Sequence, residues 1–187
     1  DNPMQYEAEP QLLYTSTMHG DETTGMILMM RLIDYLLVNY GSIERVTNIV
    51  NNMEVYISPN TNPDGTYYGG NHTVIGSRRA NANGQDLNRD FPGPTGPNAP
   101  YQKETQLMMD YADTHHFILG ANFHGGIEVV NYPWDSYTSS QNTHADHAWY
   151  GVISRQYATL AQQNSPAGYM TGQNNGVTHG GDWYVIY

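Results

Sequence analysis

Cysteine is absent from the 187 residues, which excludes disulfides and the cysteine-rich ligand sets of closed structural zinc sites. Basic residues are scarce. Seven Lys and Arg against 18 Asp and Glu give a formal net charge of −11, which argues against nucleic acid and anionic membranes as partners. Such a balance favours cationic substrates, though an acidic surface is more often a solubility feature. Long apolar runs are missing as well, and no stretch reads as a signal peptide or a transmembrane segment. What remains is globular in composition, with 39% hydrophobic and only 13% charged residues. Tyrosine (16 residues), asparagine and glycine are abundant and lysine is nearly absent, a bias common in exported proteins that points to a secreted or periplasmic location.

Apolar patterning predicts a strand at Gln11–Thr15, a helix at Thr23–Asn39 stopped by Gly41, and an alternating strand at Glu54–Ser58. Met26, Met29 and Met30 are expected in the core. A long region rich in Gly, Asn and Pro follows over residues 59–100. Further on come a helix at Tyr101–His115, a strand at Phe117–Asn122 and a helix at Thr143–Gln163. Strand and helix in alternation indicate an α/β fold with a mixed, largely parallel open sheet flanked by helices. Sites of such sheets lie at the carboxyl ends of the strands.

His19 and Glu22, in Met18-His19-Gly20-Asp21-Glu22, are close enough in sequence for one tight turn to aim an imidazole and a carboxylate at one ion. His124, in Asn122-Phe123-His124-Gly125-Gly126, follows another predicted strand. Two histidines and a carboxylate, with a fourth position left to water, are the usual ligands of a catalytic zinc ion. The His-x-x-Glu pair alone also arises by chance. The other histidines read more simply: His144 and His147 as one solvated helix face, His115 and His116 as a helix end that favours the dipole. Asn71-His72-Thr73 is a glycosylation sequon, relevant only in a eukaryotic secretory pathway.

Three further segments accompany the ligand set. They are Pro59-Asn60-Thr61-Asn62-Pro63-Asp64-Gly65, then Arg79 with Asp86-Leu87-Asn88-Arg89-Asp90-Phe91-Pro92, then Gly125 through Asp135. In this order they resemble the zinc metallocarboxypeptidases of the carboxypeptidase A/B superfamily, and within it the branch of carboxypeptidases N, E, M and D. The resemblance runs from about Leu12 to the last residue. It implies one zinc ion held by His19, Glu22 and His124, with Asp86 bonded to His19. Arg79 would polarise the scissile carbonyl, and Asn88 with Arg89 would grip the substrate's C-terminal carboxylate. Tyr184 matches the mobile tyrosine that closes over the substrate. Asp135 falls where members acting on basic residues carry a pocket aspartate, although Pro133-Trp134-Asp135 could also be a turn.

The implied activity is removal of a C-terminal residue, Lys or Arg, from peptide and protein C-termini. The resemblance puts the general-base glutamate beyond Tyr187, and Glu128 matches no family position. With Asp1-Asn2-Pro3 as an abrupt start, residues 1–187 are expected to be part of a larger catalytic domain. Alternatives are a related zinc deacylase, a cell-wall peptide carboxypeptidase, and a non-catalytic carboxypeptidase-like binding module.

Overall fold

A computed structural model describes residues 8–94, 96 and 99–184. The sequence readings that touch Asp1-Asn2-Pro3 and Tyr187 lie outside the described residues. The chain divides into two compact units, one of Asp1–Phe91 with Gly96–Gly125, the other of Pro92–Thr95 with Gly126–Tyr187.

The first unit is built on three parallel strands: β1 (Gln11–Ser16), β2 (Glu54–Ser58) and β3 (Phe117–Phe123), in the order β2-β1-β3. Parallel strands need long crossovers. Here these carry helices α1 (Thr24–Asn39) and α2 (Glu44–Asn52) between β1 and β2, then α3 (Pro63–Thr66) and α4 (Lys103–Asp113) between β2 and β3. The registers Thr15↔Ser58 and Ser16↔Phe123 bring the carboxyl ends of all three strands level. The loop carrying His19 and Glu22 leaves this end of β1, and His124 follows β3 directly. The second unit pairs β4 (Val130–Tyr132) with β5 (Val177–His179), also parallel, under helix α5 (His147–Gln163). Its small core is Ala158, Met170 and Val177. The α/β expectation therefore matches the architecture.

Several local expectations need correction. Residues of β2 are all half-buried rather than alternating. Helix α2 does not show in the sequence, because β-branched residues and asparagines have low helix propensity. Its apolar residues Val46, Ile49 and Val50 nevertheless keep helical spacing, and Val46 is buried. Helix α5 begins at His147, four residues later than Thr143, because Asp146 N–H turns back to His144 Nδ1 at 3.0 Å. His144 is thus not on the helix. The methionines separate: Met29 is buried, but Met30 is 53% exposed. Helix α1 carries apolar residues on several faces, and one sheet covers only one stripe of a helix. Ile27, Leu37 and Val38 are accordingly exposed. Among the described residues, no single helix is long and apolar enough to cross a membrane.

Candidate metal centre

The turn after β1 is closed by Glu22 N–H on His19 C=O at 3.0 Å. That turn points both side chains the same way. His19 Nδ1 lies 2.9 Å from Glu22 Oε1, and His124 Nδ1 lies 2.9 Å from Glu22 Oε2. The two Nδ1 atoms are 3.2 Å apart. His19 is buried, at 2% exposure, and His124 is partly open.

Protonation decides what this cluster can hold. His19 Nε2 is 3.0 Å from Asp86 Oδ1. A carboxylate only accepts, so Nε2 carries the proton and a neutral His19 turns the Nδ1 lone pair toward Glu22 and His124. Lone pairs converging on one point require protons or a cation there. Two nitrogens bound tetrahedrally at about 2.0–2.1 Å lie about 3.3–3.4 Å apart. The observed 3.2 Å separation and the N,N,O donor set therefore fit zinc. His124 Nε2 sits 3.0 Å from the Asn122 amide, which in turn meets Thr15 Oγ1. The amide nitrogen faces that ring nitrogen, and the amide oxygen accepts from Thr15 Oγ1 at 3.0 Å.

Charge reinforces the arrangement. Burial would raise the Glu22 carboxyl above its ordinary value. When protons rather than a cation hold the cluster together, bonds from Gly125 N–H and from His124, with the charge of a protonated His19, outweigh burial and hold it below. Asp86 behaves alike. Burial raises it, but Arg79, His19 and Asn88 N–H together hold it low. Arg79 Nε donates to Asp86 Oδ2 at 2.9 Å, and its Nη1 approaches Glu22 Oε1 at 3.5 Å. Asp86 thus joins Arg79 to His19 through its two oxygens.

Asn88 and Arg89 form a single 3-10 turn after Asp86, which accepts from Asn88 N–H at 2.9 Å. Both residues are exposed, and Arg89 Nη1 donates to Asn88 C=O at 2.8 Å. The structure therefore gathers His19, Glu22, His124, Arg79, Asp86, Asn88 and Arg89 in one unit.

The remaining expected residues belong to the other unit. Asp135 is exposed, and its Oδ1 accepts from the Asn131 amide at 2.9 Å. Tyr184 is half exposed, with its N–H on Gly180 C=O at 2.9 Å. Glu128 accepts Met170 N–H at 2.8 Å.

Asn62, in the segment 59–65, has no role at the metal centre that its sequence position alone predicts. It is fully buried, at 0% exposure, and its amide reaches three segments of the first unit. An Asn directly before Pro-Asp-Gly is a helix-capping signal, and this could have drawn attention to it.

An α/β unit that converges two imidazoles and a carboxylate at its strand ends has the framework of a metal-dependent hydrolase. Comparison with known proteins narrows the class: the zinc carboxypeptidase family model matches residues 1–186. Carboxypeptidase D of Mus musculus is 36% identical over 200 residues, covering 100% of this chain and 14% of that protein. The carboxypeptidase N catalytic chain of Rattus norvegicus is 28% identical over 223 residues, covering 100% of this chain and 49% of that protein. The chain belongs to the zinc carboxypeptidase family. It spans less than half the length of either of these relatives. Among solved structures, thrombin activatable fibrinolysis inhibitor aligns with a TM-score of 0.70 at 20% identity, over 86% of this chain and 45% of that one. Carboxypeptidase A of Helicoverpa armigera aligns at 0.69 and 20%, over 83% and 42%. At such identities the likeness speaks for the fold.

Proposed function

We propose that this chain carries the metal- and carboxylate-binding half of a zinc metallocarboxypeptidase, acting on the C-terminal residue of peptides and proteins. The observation that carries this reading is the convergence of His19, Glu22 and His124, with His19 held from behind by Asp86. Those three side chains would hold one zinc ion. When bound, zinc supplies a Lewis acid that polarises a carbonyl and lowers the pKa of water.

The protein's own groups account for the rest. Asp86 fixes the ring orientation of His19 and keeps its proton on Nε2. Arg79, beside Glu22, offers positive charge where an oxyanion would develop. Asn88 and Arg89, exposed on their short turn, suit a free carboxylate, which a planar guanidinium binds with two parallel bonds. Preference for Lys or Arg is proposed on Asp135, the residue the resemblance assigns to the basic side chain. The base that takes a proton from water is proposed to be a glutamate outside residues 1–187. Action outside the cytoplasm suits the lysine-poor composition.

Release of C-terminal arginine from a short peptide, with and without a zinc chelator, tests the reading in the protein that carries this sequence. Chelator-sensitive release is expected. Release that survives metal removal contradicts it.

A further inference from the structure

We propose that Asn62 is a positioning residue that locks the His19 loop to the Arg79 loop, so that metal affinity depends on a side chain that touches neither the metal nor a substrate. This rests on the reading of His19, Glu22 and His124 as zinc ligands.

Three backbone segments meet behind the metal centre: residues 18–20, 62–66 and 78–80. They approach too closely for ordinary side chains. A Cβ on Gly20 would strike the backbone of Gly65 and Thr66, and one on Gly65 would lie 2.6 Å from Ala80 C=O. The Asn62 amide fills the junction. Its Nδ2 donates to Met18 C=O at 3.0 Å and to Arg79 C=O at 3.3 Å. Its Oδ1 accepts Gly65 N–H at 2.9 Å. Gly20 N–H also reaches Arg79 C=O at 3.3 Å, and Arg78 N–H reaches Gly65 C=O at 3.0 Å.

The chemistry requires an amide. One nitrogen with two protons serves two carbonyls on different segments, and the oxygen on the same group serves an N–H. Met18 immediately precedes the ligand His19, and Arg79 contributes both the second carbonyl and the guanidinium on Asp86. A shift of either segment would strain the Asp86 link between Arg79 and His19. Full burial means that water cannot replace a lost bond without cost.

Asn62 also caps α3 through Gly65, so a turn-capping role must be separated from a positioning role. Asn62→Ser keeps an oxygen for Gly65 N–H but loses both amide N–H donors, and its shorter single hydroxyl cannot serve the Met18 and Arg79 carbonyls together; Asn62→Ala loses all three bonds. The measurements are Zn2+ affinity by competition with a chromogenic chelator and the visible spectrum of the Co2+ form, with circular dichroism and Tm reporting the fold. Both folded variants are expected to bind Zn2+ about tenfold more weakly than wild type and to give altered Co2+ spectra. A wild-type affinity and spectrum in Asn62→Ser would overturn the proposal and leave capping as the role. If wild type itself binds no Zn2+, the metal-site reading fails instead.

A second measurement needs no variant. The Asn62 side-chain amide protons in wild type are expected to be protected from exchange and to shift on Zn2+ addition. Unshifted or freely exchanging protons overturn the proposal.

Discussion

His19 Nδ1 and His124 Nδ1 stand 3.2 Å apart, although one ring follows β1 and the other follows β3. Neighbouring parallel strands in register make this possible. Ser16 pairs with Phe123, so the residues that follow emerge side by side. Glu22 lies against both rings and Asp86 orders one of them, a donor set that suits a cation shared by the three side chains.

Asp86 gives the first expectation. Asp86→Ala removes the acceptor of the His19 proton and the partner of Arg79 Nε together. Zinc affinity is expected to fall about 10- to 100-fold, the usual effect of losing a partner behind a ligand. Asp86→Asn, whose oxygen still accepts, is expected to lose less. Isothermal titration with Zn2+ checks both, and equal affinity in all three proteins contradicts the proposed coupling.

Arg89 gives the second. If Asn88 and Arg89 read the terminal carboxylate, Arg89→Ala should raise KM for peptides with a free C-terminus and narrow the preference over the same peptides amidated. A hydrogen bond to a charged group contributes about 1.5–3 kcal/mol, which corresponds to about a 10- to 100-fold effect. Paired kinetics on free and amidated peptides measure this. An unchanged ratio removes the pair from substrate recognition.

How much of this is legible in the sequence depends on range along the chain. The His19–Glu22 turn is local, and its spacing shows in five consecutive residues. His124, Arg79 and Asp86 are distant in sequence, and only the order of motifs resembling a known family connected them. Asn62 was hidden because its partners Met18 and Arg79 use main-chain carbonyls, which any residue possesses. Helix α1 was legible as a helix, but which of its apolar faces the sheet covers was not, as Met29 and Met30 show. The three-residue strands β4 and β5 are too short for periodicity to reveal.

Asp135 carries the specificity proposal. Asp135→Ala is expected to reduce kcat/KM on a peptide ending in arginine far more than on one ending in phenylalanine. Equal losses on the two peptides would sink the preference for basic residues while leaving the metal-centre reading intact.

Alkaline pH tests a site far from the proposed chemistry. Tyr56 donates to the Glu54 carboxylate at 2.7 Å, and this bond, with partial desolvation, pushes the phenol from 10.0 up to about 12. A raised acid favours the protonated folded form. Its contribution to stability is therefore complete below pH 10 and disappears as the pH rises through about 12. Tyr56→Phe should remove the latest tyrosine transition from an ultraviolet titration and flatten alkaline unfolding in that window. A transition retained near pH 12 in the variant assigns it to another tyrosine.

The most direct measurement is equilibrium dialysis of this chain against Zn2+ at neutral pH, beside His19→Ala, Glu22→Ala and His124→Ala. One tightly held ion per wild-type chain is expected, with the affinity of every variant sharply reduced. No bound zinc in folded wild type, or zinc that survives all three substitutions, contradicts the account.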